Sequence, residues 1–270
     1  MWKLPVFKAM GHAIRSTTDN IGFAFHISWP WMLMLLPLNV ATNLYLVLNR
    51  LENAGEPNPA MLGKYFEVAA PLLLASIIAY ASIAVNWHRY VLRDEIPRGW
   101  QRLRIDSLTW RYIGNFILIF LVLVACAIPV ALAFALIGFL ANALFGGEMA
   151  TVLLVPLALA LYAFAFVGVY RLSIKLPAVA LGRSDFSMGD AWRATKGNSW
   201  RLLGILILFV LCILLIAAGM FAITYLFGLL GTVGLSLAVA IQVMVNWVAT
   251  ILGVTLLTSL YGFFVEVREF

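Results

Sequence analysis

From Leu202 to Val265 the chain runs 64 residues without a charged side chain, and few folds can house such a run. A helix needs about 20 apolar residues to cross the hydrocarbon core of a bilayer. The stretch therefore demands two crossings, with the turn expected among the glycines from Gly228 to Gly234. Lipid offers no partner to a backbone amide or carbonyl, so each span has to pair its own, as an α-helix does. Composition extends this reading to the whole chain. Only 11% of its 270 residues are charged and 64% are hydrophobic, against about 25% charged in soluble domains.

The remaining uncharged runs supply four more crossings. One fits between Asp19 and Arg50, bent at Pro30 or Pro37, and a second between Val68 and His88. The uncharged run from Tyr112 to Gly147 is too long for one perpendicular crossing. That third helix should project outward or bend at Pro129, with Gly146, Gly147 and Glu148 marking the turn. A fourth runs from about Met149 to Tyr170. Residues 50–67 read as a polar loop. Six crossings put both termini on one side. Of the 18 Lys and Arg residues, 16 fall at the termini and even-numbered connections, and only Arg50 and Lys64 fall opposite. The positive-inside rule then places both termini in the cytoplasm.

The longest polar break in the second half, Tyr170 to Gly204, holds the pattern of a short amphipathic helix. Ser187 and Asp190 have capping-box spacing. Met188, Ala191, Trp192 and Thr195 follow on one helical face, and Gly197-Asn198 is a stop signal. Trp192 and Trp200 suit the headgroup region, where indole rings sit well. The segment reads either as an ordinary cytoplasmic connector or as a docking site for a lipid headgroup or partner. Phe7, Met10 and Ile14, among Lys3, Lys8 and Arg15, give residues 1–19 a similar surface-lying pattern. They are not expected to form a cleavable signal, because the following apolar stretch is too long.

In this segment PAVALG, followed by DAWRATKGNSWRLLGILIL, resembles the membrane domain that accompanies some glycerophosphodiester phosphodiesterases, and related stand-alone bacterial membrane proteins. The likeness covers about 35 residues and the general layout. It implies a bacterial inner-membrane protein of several helices, and no activity, since the hydrolytic chemistry of such fusions belongs to a separate soluble domain.

The chain also resembles itself. Trp110-Arg111 with Gly114 matches Trp200-Arg201 with Gly204, and Tyr80-Ala81 with Arg89 matches Tyr162-Ala163 with Arg171. Ala13 to Thr17 echoes Ala191 to Thr195 more weakly. The expected fold is thus an all-α integral membrane protein of one transmembrane domain, residues 1–270. Its six helices form three hairpin repeats, about 1–95, 96–184 and 185–270, each preceded by a cytoplasmic amphipathic interfacial helix. Mitochondrial carriers share that layout, but Pro30, Pro37 and Pro129 lack the charged neighbours of the carrier signature.

Candidate chemistry is sparse. Cys126 and Cys212 lie inside apolar runs, and His12, His26 and His88 form no HxxxH pattern, so no metal or other cofactor is expected. His26 and His88 read as donors at headgroup level. Neither a catalytic motif nor an ionisable residue at mid-span points to an enzyme or a coupled transporter. The net charge of +6 sits at membrane edges and calls for no nucleic acid. Candidates for binding anionic headgroups or a partner are Arg104, Trp110, Arg111, Arg171, Lys175, Trp192, Arg193, Lys196, Trp200 and Arg201. Candidate polar residues within the membrane are Asn39, Asn43, Gln242 and Asn246, as interhelical hydrogen bonders or as the lining of a polar cavity. The expected role is that of an accessory or scaffold protein in envelope maintenance or complex assembly, binding membrane lipids, a membrane-protein partner or a second copy. The alternative is a lipid or small-molecule transport protein.

Overall fold

The computed structural model describes residues 3–52 and 59–270, and every regular element among them is helical. Six helices are long and apolar enough to span a membrane: α2 (Ile21–Glu52), α3 (Pro59–Arg93), α4 (Ser107–Phe145), α5 (Gly147–Ser173), α8 (Ser199–Gly228) and α9 (Gly231–Val265). Shorter helices join them: α1 (Val6–Asp19), α6 (Lys175–Ala180) and α7 (Met188–Ala194), with a 3-10 turn at Gly99–Arg102. Helix α3 starts inside the stretch expected to be a loop, and residues 53–58 of that loop lie outside the described residues.

Each consecutive pair of long helices packs as a hairpin, and the six close into a ring in the order α2, α3, α4, α5, α8, α9, with α3 also touching α9. The turns are where the glycines put them. Gly146 (φ 79°) ends α4 and Gly231 (φ 68°) opens α9, both in the left-handed region that side chains with a Cβ disfavour. The long uncharged run of α4 stays one continuous helix through Pro129. At 39 residues and 1.5 Å per residue it measures about 58 Å, well beyond the ~30 Å hydrocarbon thickness.

Packing is concentrated at the end that carries α1, α6, α7 and both chain termini. In the span window of α3, 44% of residues are buried, against 6% in that of α4, whose outer half is largely exposed. Ala9, Met10, Ala13 and Thr17 turn α1 onto α8 and α9. Phe7 and Ile14, expected on the same face as Met10, are exposed, and Ala9 and Ala13 pack inward beside Met10. The second unit has only its four-residue 3-10 turn where an amphipathic α-helix was expected.

A polar ladder ties α3 to its surroundings at this end. Trp31 Nε1 donates to Ser82 Oγ (3.2 Å), and Asn86 Nδ2 donates to the carbonyls of Gln101 and Arg102 (3.3 and 3.2 Å). His88, expected at headgroup level, is fully buried instead. Its ring nitrogens lie 2.8 Å from Thr258 Oγ1 and 3.3 Å from the Tyr112 hydroxyl. His26 is half-buried near Phe23.

Candidate functional site: a basic cleft at the packed end

The ten basic and aromatic candidates do not form one surface. Arg171, at the end of α5, is buried and acts as a clamp. Its Nη2 donates to the Trp192 carbonyl (2.7 Å) and its Nε to Thr195 Oγ1 (2.8 Å), while the guanidinium lies 3.6 Å from the centre of the Trp192 ring. It thus satisfies the open C-terminal carbonyl end of α7, where the helix dipole favours a cation. Arg201 Nη1 donates to the Leu4 carbonyl (2.8 Å), and the Leu4 amide donates to Asn198 Oδ1 (3.0 Å), strapping the N-terminal segment to the start of α8. Arg104 pairs with Asp106 at 3.6 Å.

Arg193 pairs with Asp190 inside the capping box that starts α7. Hydrogen bonds from the Ser187 hydroxyl and amide, and then from Arg193, hold the Asp190 carboxyl down at about 2. Trp110, Lys196 and Trp200 are exposed.

Arg111 and Lys175 do come together, and a third cation joins them. With Asn115, Gly182, Arg183 and Ser184 they line a cleft of about 140 Å³ between the first turns of α4 and the α6 segment. Local structure sets each wall. Asp106 caps α4 by accepting from the amides of Leu108 and Thr109 (3.0 and 3.2 Å), which fixes where the helix starts and hence where Arg111 stands. Helix α6 ends in a Schellman turn: Arg183 N–H donates to the Ala178 carbonyl and Gly182 N–H to Val179, with Gly182 at φ 78°. That turn reverses the chain and sets Arg183 opposite α4.

Arg183 Nη1 donates to the Tyr261 hydroxyl (3.0 Å), and Nη2 lies 3.6 Å from Asp185. Both contacts raise its pKa above the ordinary arginine value, the tyrosine bond first. Among the described residues, Arg111 and Lys175 have no carboxylate within 4 Å. The cleft therefore gathers three cations against one exposed carboxylate and adds the Ser184 hydroxyl, while Asn115 Nδ2 donates to the Arg111 carbonyl (2.8 Å). That donor set suits a phosphate oxygen or carboxylate. Arg183 is the residue that sequence reasoning missed. Its signal was the Leu-Gly-Arg at the end of PAVALG, where Gly closes a helix and the next side chain turns back.

The amide candidates sit elsewhere. Asn39 Nδ2 donates to the Leu35 carbonyl of its own helix (2.9 Å), and the Asn43 side chain lies outside the described residues. Gln242 and Asn246 are exposed on α9, on the helix row that also carries the buried Ala238. At 11 and 15 residues beyond Gly231 they lie about 16 and 22 Å along the helix, at mid-span depth.

No protein-family model, curated protein or solved structure matches this chain.

Proposed function

We propose that this chain is a non-enzymatic protein of the bacterial inner membrane, with both termini in the cytoplasm. Its basic end binds anionic headgroups and serves as an accessory or scaffold surface in envelope maintenance or membrane-complex assembly. The observation that carries the reading is the cleft of Arg111, Lys175 and Arg183, whose donors exceed the negative charge near them. Clustered cations beside a cytoplasmic leaflet attract anionic lipid at about 1 kcal/mol per residue.

We read the chain as three hairpin units, about 1–95, 96–184 and 185–270, and an arginine of each reaches a helix-terminal carbonyl of another: Arg89 to Ala180 (3.1 Å), Arg171 to Trp192 (2.7 Å) and Arg268 to Leu92 (2.9 Å). Partner docking, by a membrane protein or a second copy, is supported by Gln242 and Asn246, since amides at mid-span seek interhelical hydrogen bonds.

The test is the phospholipid that the purified chain retains after gentle extraction from membranes of mixed anionic and zwitterionic lipid, read by mass spectrometry. The Arg111→Gln/Lys175→Gln variant should lose most of the parent's anionic enrichment, and an unchanged enrichment rejects the reading. The alternative, a lipid transport protein, draws on the apolar groove between α4 and α5. Movement of labelled lipid between leaflets of reconstituted vesicles would favour it.

A further inference from the structure

Around the basic cleft the hydrogen-bond acceptors are already taken, while the charged donors are left over. At the end of α6 the carbonyls of Pro177, Ala178, Val179 and Ala180 accept from Leu181 N–H, Arg183 N–H, Gly182 N–H and Arg89 Nη1. On α4 the Arg111 carbonyl accepts from Asn115, and Asp106 caps the helix and pairs with Arg104. Among the described residues neither Arg111 nor Lys175 has a carboxylate within 4 Å, and Arg183 faces the exposed carboxylate of Asp185 at 3.6 Å.

Three cations against one carboxylate leave a local excess of two positive charges. The neighbouring pairs, Arg104 with Asp106 and Arg89 with Glu95, are each neutral and leave that excess unchanged. A phosphodiester headgroup carries one negative charge on two free oxygens, whereas a phosphomonoester carries up to two on three. Three charged donors from two walls, Arg111 on one and Lys175 and Arg183 on the other, match the second in charge and in oxygen count. Arg183 is also held in place beforehand. The buried Tyr261 accepts from its Nη1 (3.0 Å) and packs edge-on against Phe186, so little side-chain freedom remains to be lost on binding. Beside Arg111 and Asn115 on α4 stand Trp110 and Phe116, both exposed, and an indole at a span's edge marks headgroup depth.

We propose that the cleft of Arg111, Lys175 and Arg183 selects a phosphomonoester dianion over a phosphodiester monoanion. The inference rests on the headgroup reading above, from which it takes the cleft as the anion site, and it narrows the ligand from any anionic lipid to one class.

The experiment is native mass spectrometry of the full chain in detergent, titrated with dioleoyl phosphatidic acid, dioleoyl phosphatidylglycerol, glycerol 3-phosphate and, as the zwitterionic baseline, dioleoyl phosphatidylcholine. At about pH 7.5 the phosphatidic acid should bind about tenfold more tightly than the phosphatidylglycerol, for one extra unit charge beside partly exposed cations. Near pH 5 that preference should shrink to about threefold or less, because the second proton of a phosphomonoester leaves at about pH 6. No histidine lines the cleft, so the change belongs to the ligand. Arg183→Gln should cut the preference to about the same extent at pH 7.5, by removing one of the two excess charges. If that variant melts early, Asp185→Asn decides: it keeps every cation and should tighten phosphatidic acid about threefold, and no tightening overturns the inference. Equal affinity for the two anionic lipids, with Arg111→Gln/Lys175→Gln weakening both, overturns the dianion and leaves the headgroup reading standing. If the double variant binds every probe like the parent, both fall. Glycerol 3-phosphate bound as tightly as phosphatidic acid supports the phosphomonoester but makes it a soluble one, and then the headgroup reading falls alone.

Discussion

Replacing Arg171 by Met should release α7 from the bundle while the spans remain folded. The side chain is buried and makes two short bonds, to the Trp192 carbonyl and Thr195 Oγ1, a longer one to Ser199 Oγ (3.4 Å), and a stacking contact with Trp192. A hydrogen bond from a charged donor contributes about 1.5–3 kcal/mol net. The two short ones share one side chain and are not additive. Their acceptors also keep local partners, since the Thr195 hydroxyl reaches both Ala191 and Trp192 carbonyls. A net loss of about 3 kcal/mol is the reasonable sum.

Helix α7 has seven residues and no independent stability, so that loss should appear as local opening. Three kcal/mol corresponds to amide exchange on the order of 100-fold faster across residues 191–202. Hydrogen exchange read by mass spectrometry, with the α3 segment around Asn86 as internal reference, measures it. Arg171→Lys keeps the charge but not the planar fork and should fall between. Protection within threefold of the parent would refute the clamp and return Arg171 to the headgroup role suggested by its position.

Four further outcomes follow from the geometry. Gly231→Val should lower the melting temperature, because φ 68° costs a β-branched residue about 1–2 kcal/mol, whereas valine at the open, helical Gly114 is tolerated better. Gly234→Ala should cost more than Gly114→Ala, since a Cβ there meets the Phe227 carbonyl, and the same melting assay reads it. His12, in contact with Phe270 at 5.4 Å, has its pKa lowered from 6.5 by burial and then by Arg15. The folded state thus prefers the neutral ring, and the contribution is complete above pH 6.5 and shrinks as pH falls below it. Exchange at residues 262–270 should rise on acidification in the parent and lose that response in His12→Phe. Gln242→Leu/Asn246→Leu should dissociate a co-purifying partner or second copy, read by mass photometry, with the monomer's melting temperature unchanged or raised.

The spans, the turns at Gly146 and Gly231 and the Ser187 cap were legible because each depends on local order: uncharged length, a positive-φ glycine, a side chain three residues from its partner. The roles of Arg171, Arg201 and His88 were not. Positive charge at a span's end looks the same in sequence whether the guanidinium faces phosphate or a carbonyl 21 residues away, as for Trp192, or 197 residues away, as for Leu4. His88 was misplaced for a related reason. Its partners, Tyr112 and Thr258, come from two other helices, and no periodicity along α3 announces them. Two of the cleft's three cations were visible, since Arg111 and Lys175 both stand beside a membrane edge. Arg183 needed the Schellman turn to bring it round.

A bundle fastened at one rim and loose at the other behaves mechanically like a shuttlecock. The base is held by the three arginine ties, while the outer halves of α4 and α5 bury few side chains. Leaning is how an overlong helix meets a thinner bilayer. Changing lipid tail length in reconstituted discs should therefore swing the tip around Phe139 and leave the base around His88 unmoved, so that local thickness is registered at one pole of the molecule only.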